Sequence, residues 1–161
     1  MSVVADTGPL YYLALIGEAT VLQPLYTRVF VPAAVVGEML QPRTPDAVRS
    51  WISQRPDWLE VRPDPAPDAT LGFLDQGEGA AITLALALRA TRVLIDDWEG
   101  RAEAVRRNLR VTGTLGVLVL AQRRGLLDFE TALARLSQTN FYLSAELLQL
   151  VRRRLSGGNK P

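Results

Sequence analysis

The chain has 161 residues, of which 48% are hydrophobic and 22% charged, the composition of one ordinary globular domain with room for a sizeable core. It contains no histidine and no cysteine, which excludes a Ser-His-Asp triad, a thiol nucleophile, a disulfide framework and zinc ligation by thiolate or imidazole. An enzyme of this composition must use carboxylates, hydroxyls, arginines, a borrowed cofactor or a metal bound through oxygen.

Short apolar strands alternate with helical segments along the chain, and proline and capping residues mark where the helices begin. The predicted strands are Val3–Ala5, Val29–Val31, Leu59–Arg62 at a sheet edge, Arg92–Ile95 and Leu109–Thr112. The predicted helices are Pro9–Leu15, Val21–Tyr26 capped by Thr20, Pro32–Leu40, Pro45–Ser53, Gln76–Arg89, Gly100–Asn108, Leu115–Arg124, Phe129–Ser137 capped by Asp128, and Ala145–Leu155 capped by Ser144. Buried strands separated by helices predict an α/β fold with a central parallel sheet and helices on both faces.

The pattern predicts a single domain over residues 1–155 and a disordered tail over residues 156–161, which are rich in glycine and end in proline. The proline-rich segment 63–68 is predicted to be an extended surface connection. No leader sequence or long apolar run is present, which predicts a cytoplasmic protein that does not enter a membrane.

Charge is distributed unevenly, although the net charge is only +1. Residues 1–80 carry ten acids and five arginines, whereas residues 81–161 carry seven acids and thirteen bases, all but one of them arginine. Guanidinium groups bind phosphate oxygens in pairs, so this bias is compatible with nucleic-acid contact. An ordinary solvated surface explains the same bias, and charge alone favours that simpler explanation.

Acidic side chains follow the predicted strands, at the edge of the sheet where α/β proteins bind ligands. Asp6 follows the first strand and the pair Asp96–Asp97 follows the fourth, while Glu38 and Glu78 lie on helices among small or apolar neighbours. Carboxylates in such surroundings need a partner or a cation, and sites made only of oxygen select Mg²⁺ or Mn²⁺. The run Thr112–Thr114 follows the fifth strand, where a simple turn explains it equally well.

Each acid also has a structural explanation. Asp6 and the Asp96–Asp97 pair could cap the helices that follow them, and Glu38 could be a solvated helix residue. Asp75 and Glu78 have the spacing of a capping box, which does not exclude metal contact. Two adjacent acids after an apolar strand exceed what capping requires, so the pair is the strongest functional candidate.

The run Val4–Gly8 also matches the apolar-apolar-Asp-Thr-Gly pattern of aspartic proteases. Those enzymes are all-β, and each catalytic aspartate needs a partner from a second lobe or subunit. The mixture of helices and parallel strands disfavours that interpretation.

Together these segments resemble the PIN domain, the small α/β nuclease fold found in the toxins of many prokaryotic toxin–antitoxin pairs (the VapC type). The similarity covers residues 3 to about 150 and is greatest to a branch of uncharacterised prokaryotic PIN-like proteins. Five motifs occur in the order expected of that family: residues 4–10, 31–38, 77–85, 94–102 and 112–116.

The resemblance implies a three-layer α/β/α fold and Mg²⁺- or Mn²⁺-dependent hydrolysis of RNA phosphodiester bonds. By position it implies that Asp6, Glu38, Glu78 and Asp97 are the catalytic acids, with metal contacts from Asp6, Asp96 and Asp97. Many active relatives have aspartate where Glu78 stands. Adjacent residues leaving a strand point in opposite directions, so the doublet leaves open which aspartate faces the pocket.

Substrate contacts are expected from Arg101, Thr112 and Thr114, although Arg101 could instead pair with a neighbouring acid. The resemblance further implies an RNA substrate, a cognate antitoxin protein and a homodimer. An alternative is a catalytically inactive PIN-like module that binds a protein or nucleic acid through the acidic pocket or a helical surface. The apolar segment 141–151 could supply that surface, although ordinary core packing explains its sequence more simply.

Overall fold

The computed structural model describes residues 2–157, which form a parallel sheet enclosed by helices. The strands are β1 Ser2–Ala5, β2 Arg28–Pro32, β3 Leu59–Arg62, β4 Arg92–Leu94 and β5 Arg110–Thr112. The helices are α1 Thr7–Leu15, α2 Leu22–Tyr26, α3 Ala33–Met39, α4 Asp46–Ser53, α5 Gln76–Ala87, α6 Trp98–Arg106, α7 Thr114–Arg123, α8 Phe129–Leu136 and α9 Ala145–Gly157. Short 3-10 turns lie at Ala19–Val21 and Ala69–Leu71.

The five strands are all parallel and stand in the order β3-β2-β1-β4-β5. Strand β1, in which Val3, Val4 and Ala5 are fully buried, lies at the centre, and β3 lies at an edge as predicted. Because side chains alternate along a strand, Val3 and Ala5 pack into one apolar cluster, whereas Val4 packs into the other. Burial on both faces makes the three-layer α/β/α arrangement, which confirms the predicted fold class.

The two outer layers differ in size. The larger cluster contains apolar residues of α1–α4 and α7–α9, and the smaller one contains residues of α5 and α6. The side of the sheet on which a helix packs therefore decides from which direction its polar residues approach the carboxyl ends of the strands.

Several element boundaries differ from the prediction. Helix α1 begins at Thr7 rather than Pro9, and α6 begins at Trp98 because Asp97 caps it. Thr20 does not cap a helix but lies inside a 3-10 turn, so that prediction was wrong. Helix α9 extends to Gly157, which puts the first two residues of the predicted tail inside a helix; residues 158–161 lie outside the described part.

The proline-rich segment 63–68 is anchored to the domain at two points. Asp64 Oδ1 accepts a hydrogen bond of 2.9 Å from the amide of Ala34 at the start of α3. Asp68 caps a 3-10 turn and forms a 3.0 Å ion pair with Arg107. The segment is therefore a surface connection that is held against the domain by these two contacts. No helix within residues 2–157 is long and apolar enough to cross a membrane.

Candidate functional site

The candidate site lies where the chain reverses its order through the sheet. The chain moves from β1 to β2 and β3 on one side, and then returns to β4 and β5 on the other. In open α/β sheets such a switch point opens a crevice at the carboxyl ends of the strands. Asp6 follows β1 and Asp96 follows β4, so these two acids flank the crevice. The amide of Asp6 donates to the carbonyl of Leu94 at 2.8 Å, which joins the two strand ends directly.

Asp6 is the most unusual acid of the site. It occupies the N-cap position of α1, yet its side chain makes no capping hydrogen bond. The residue is only 6% exposed, and its Oδ1 atom is buried without a hydrogen-bond partner among the described residues. Burial, with smaller contributions from the charges of Asp75, Glu38 and Asp96, raises the pKa of Asp6 to about 7 against the opposing effect of the Thr7 backbone. The helix-capping explanation of Asp6 therefore does not account for this carboxyl group.

Glu38 reaches the same place from α3. Its Oε2 atom accepts a hydrogen bond from the hydroxyl of Thr7, which holds the half-buried side chain toward β1. Gly77 in the first turn of α5 leaves room for the two acids: a Cβ built there would lie 2.8 Å from Glu38 Oε2 and 3.4 Å from Asp6 Oδ1. The two carboxylates thus border one small space that a side chain at position 77 would occupy.

The side chains of Asp96 and Asp97 point in different directions, as expected for adjacent residues that follow a strand. Asp96 points toward the N-termini of α1 and α7. Its Oδ1 atom accepts the amide of Thr114 at 2.7 Å, and its Oδ2 atom accepts the Thr114 hydroxyl at 2.6 Å. A Cβ at Gly8 would lie 2.8 Å from Asp96 Oδ2, so a larger residue there would displace the carboxylate. Burial raises the pKa of Asp96, and the Thr114 hydrogen bonds and the Arg101 charge oppose that rise.

Glu78 and Asp97 both contribute to helix capping. Asp75 Oδ1 accepts the Glu78 amide at 2.8 Å, and Glu78 Oε2 accepts the Asp75 amide at 3.3 Å, so the predicted capping box is present. Asp97 Oδ2 accepts the amide of Gly100 at 3.1 Å and caps α6. Burial, together with the charges of Asp75, Asp97 and Asp6, raises the pKa of Glu78 to about 8. Both side chains therefore lie within electrostatic range of the crevice while also holding a helix end.

The three residues predicted to contact substrate are engaged with the protein. Arg101 is half-buried, and its Nη1 atom donates to the carbonyl of Ile95 at 3.1 Å. Thr114 is fully buried and binds Asp96. Thr112 is buried, and its hydroxyl accepts a hydrogen bond from Arg92. In this arrangement Arg101 and Thr114 position the Asp96 side of the crevice, and Thr112 braces the end of β5.

Four further residues border the site without having been predicted from the sequence. Thr7 binds Glu38, while Tyr11 and Arg43 line a cleft of about 220 Å³ together with Thr7, Glu38 and Thr44. The position of Thr7 directly after Asp6 was an available signal, because a hydroxyl beside an acid at a strand end can orient a second acid. Tyr11 and Arg43 carry no such signal, since only the fold brings them beside Glu38.

The oxygen atoms present fit a divalent cation of the Mg²⁺ type. Asp6 Oδ1 is buried without a protein partner, and Glu38 faces the same space beside Gly77. Within residues 2–157, no group of three or more acidic side chains is placed to enclose one ion. Mg²⁺ is commonly held by one or two carboxylates and keeps several of its waters. The pair Asp6 and Glu38 satisfies that requirement.

The fold and the crevice define an α/β protein with a carboxylate site at the switch point of a parallel sheet. A profile of the family DUF3368, described as a PIN domain, matches residues 2–157, and the chain therefore belongs to this family of PIN domains. PIN domains are typically nucleases and generally use divalent metal ions.

Among solved structures, the chain is similar to a PilT N-terminus domain protein, SSO1118, from the hyperthermophilic archaeon Sulfolobus solfataricus P2. The two share 15% sequence identity with a TM-score of 0.48, and the match covers 89% of this chain and 100% of that one. A search of curated proteins finds no match to this sequence.

Proposed function

We propose that this protein is a Mg²⁺- or Mn²⁺-dependent endoribonuclease that hydrolyses RNA phosphodiester bonds in the crevice between β1 and β4. The observation that carries the proposal is the buried, unpartnered Oδ1 atom of Asp6 beside Glu38. An acid in such a position is costly to the fold unless a cation or proton compensates it. Perturbed carboxyl groups in a cleft are typical of functional sites.

The side chains of the chain have distinct roles in this proposal. Asp6 and Glu38 would hold the cation, which when bound activates a water and neutralises charge on the phosphoryl group. Thr7 fixes the rotamer of Glu38, and Thr114 fixes Asp96, whose charge the nearby Arg101 offsets. Glu78 and Asp97 would act at longer range, by orienting waters at the opposite wall of the crevice. The fixed hydrogen bonds pre-organise this arrangement before substrate arrives.

A specific observation supports a second candidate, an inactive PIN-like binding module. Two of the four predicted catalytic acids, Glu78 and Asp97, have structural roles as helix caps. Loss of turnover would leave the fold and the acidic crevice intact. Such a protein would bind an RNA or a protein partner without cleaving it.

For the biological role, we propose the toxin of a prokaryotic toxin–antitoxin pair, acting as a homodimer. Support comes from the resemblance to VapC-type PIN domains and from exposed apolar side chains at the C-terminal end. Tyr142, Leu147 and Leu150 are 82%, 37% and 55% exposed, whereas Phe141, Leu143 and Leu148 of the same region pack against the core. The exposed set is available to a second subunit or an antitoxin. Mass measurement in solution, alone and with the product of any adjacent small reading frame, tests this role.

The catalytic proposal is tested by incubating the purified protein with total cellular RNA in Mg²⁺, in Mn²⁺ and in chelator. The matched variant is Asp6→Asn, which keeps the side-chain shape but removes the charge. Cleavage that requires metal and disappears in Asp6→Asn supports a carboxylate–metal nuclease. RNA binding without cleavage by the folded wild-type protein would support the inactive module instead.

A further inference from the structure

A second cleft opens next to the acidic crevice and shares Glu38 and Thr7 with it. The cleft has a volume of about 220 Å³, which is room for part of one nucleotide. Tyr11 of α1 and Arg43 of the connection between α3 and α4 provide the remaining large side chains. The cleft therefore continues the crevice outward on the α1 and α3 side.

Arg43 is the positive group of this cleft. Its side chain is exposed, and within residues 2–157 its guanidinium takes part in no ion pair or hydrogen bond. The other arginine close to the acids, Arg101, instead donates to a backbone carbonyl and faces Asp96. Arg43 is thus the guanidinium beside the crevice with all of its donors available to a ligand.

The negative charges around the crevice explain why a positively charged side chain is needed there to bind RNA. Asp6, Glu38, Asp75 and Asp96 gather there, and their mutual repulsion contributes to the raised pKa of Asp6. A polyanion approaching these acids is repelled until a positive group attracts its phosphates. A guanidinium fork binds two phosphate oxygens at once, so Arg43 at the edge of the acids supplies that attraction.

Tyr11 gives the cleft an apolar surface. Its ring is held edge-on against Tyr12, with ring centroids 5.0 Å apart and an angle of 74° between the planes. Tyr12 is in turn held by a 2.8 Å hydrogen bond from its hydroxyl to Asn140 and by an edge contact with Phe141. Tyr11 therefore presents a braced ring beside the guanidinium, and aromatic rings bind unstacked bases of single strands.

We propose that the Tyr11–Arg43 cleft binds one nucleotide of a single-stranded RNA substrate, with Arg43 holding a phosphate and the Tyr11 ring packing against its base or ribose. This subsite rests on the proposed nuclease function and names how the strand is seated beside the acids. It also sets the side from which the strand enters, because the cleft adjoins Glu38 rather than Asp97.

The experiment measures binding of a fluorescently labelled single-stranded RNA of mixed sequence in the Asp6→Asn background, which prevents cleavage during titration. Arg43→Ala is compared with Arg43→Lys, and with Arg153→Ala, which removes the same charge from an exposed position on α9. Tyr11→Ala is compared with Tyr11→Phe, which keeps the ring. Cleavage by the otherwise wild-type protein and thermal melting of every variant are recorded in parallel.

Arg43→Ala should weaken binding about tenfold at moderate salt and reduce the slope of log affinity against log salt by about one, as loss of one phosphate contact requires. Arg43→Lys should recover part of the affinity, and Arg153→Ala should change it less than twofold. Tyr11→Ala should weaken binding about tenfold, whereas Tyr11→Phe should leave it unchanged.

Equal binding by Arg43→Ala and Arg153→Ala in folded proteins overturns the subsite and leaves the nuclease proposal standing. Binding that depends on Arg43, together with no cleavage by the wild-type protein, supports the subsite and overturns the nuclease proposal. Absence of RNA binding by the Asp6→Asn protein overturns the subsite, and cleavage by the wild-type protein then decides the nuclease proposal separately.

Discussion

The two walls of the crevice use their acids differently. On the β1 and α3 side, Asp6 has an oxygen without a protein partner, and Glu38 is held by the hydroxyl of Thr7. On the α5 and α6 side, Glu78 and Asp97 accept hydrogen bonds from backbone amides at helix N-termini. The first wall therefore has carboxylate oxygen free for a ligand, and the second commits its acids partly to the fold.

This difference shows why four acids near one another need not have equal roles. A capping carboxylate stabilises the helix that it caps, typically by about 1 kcal/mol, so its presence requires no further function. A buried carboxylate with an unpartnered oxygen destabilises the fold and requires another explanation. We therefore expect chemical function to depend most on the β1 and α3 wall.

The largest expected effect is that of Asp6→Asn on RNA cleavage. Removing one charge that a cation needs should lower the rate by roughly 10²–10³-fold, because electrostatic groups at a transferring phosphoryl centre contribute on that scale. Thermal stability should be retained, since asparagine buries no charge. Initial rates at saturating Mn²⁺ and melting curves check both statements. A variant that cleaves as fast as the wild-type protein would remove the distinction between the two walls.

The next largest effect is expected of Gly77→Ala, which crowds the carboxylates of Asp6 and Glu38 without altering either acid. The added Cβ would lie 2.8 Å from Glu38 Oε2, so the glutamate must move, and cleavage should fall by about tenfold. Gly79→Ala is the matched control, because its Cβ would meet only Leu71, at 3.9 Å. That variant should keep its activity and gain about 0.5–1 kcal/mol from helix propensity. Rates and denaturant midpoints of both variants provide the comparison, and equal rates would contradict it.

The sequence predicted the layers, the parallel sheet and the strand-end position of the acids, because apolar strands and proline or acidic caps are local signals. The spacing of Asp75 and Glu78 also predicted the capping box that the structure shows. It could not decide between Asp96 and Asp97, since their directions depend on how β4 ends relative to α1 and α6. It could not identify Tyr11 and Arg43 at all, because a half-buried helix tyrosine and a loop arginine have no distinguishing pattern until the fold places them beside Glu38.

A smaller effect is expected when Glu78 is changed, and two substitutions separate its two roles. Glu78→Gln keeps the capping box, since glutamine also accepts the Asp75 amide, but it removes the charge. Stability should be retained and cleavage should fall about threefold to tenfold. Glu78→Ala should show a similar fall in cleavage and also lose about 1 kcal/mol of stability. If Glu78→Gln cleaves like the wild-type protein, the residue is a helix cap alone, and the wall that it belongs to is structural.

The smallest expected effect is on the pH dependence of stability without metal, and it tests both walls at once. Burial raises the pKa of Asp6 to about 7 and that of Glu78 to about 8, so between about pH 4 and those values the folded state holds protons that the unfolded state has lost. Stability therefore falls as pH rises through this window, because the unfolded state binds fewer protons there.

In chelator, the melting temperature should be lower at pH 8.5 than at pH 5.5. Asp6→Asn should narrow that difference by at least about 2 °C, the shift given by 1 kcal/mol in a domain of this size. Adding Mg²⁺ should raise the melting temperature more at pH 8.5, where the acids are ionised and can bind it. If the melting temperatures at pH 5.5 and pH 8.5 differed as much in Asp6→Asn as in the wild-type protein, the buried carboxyl of Asp6 would not destabilise the fold. The contrast between the two walls would then have no energetic basis.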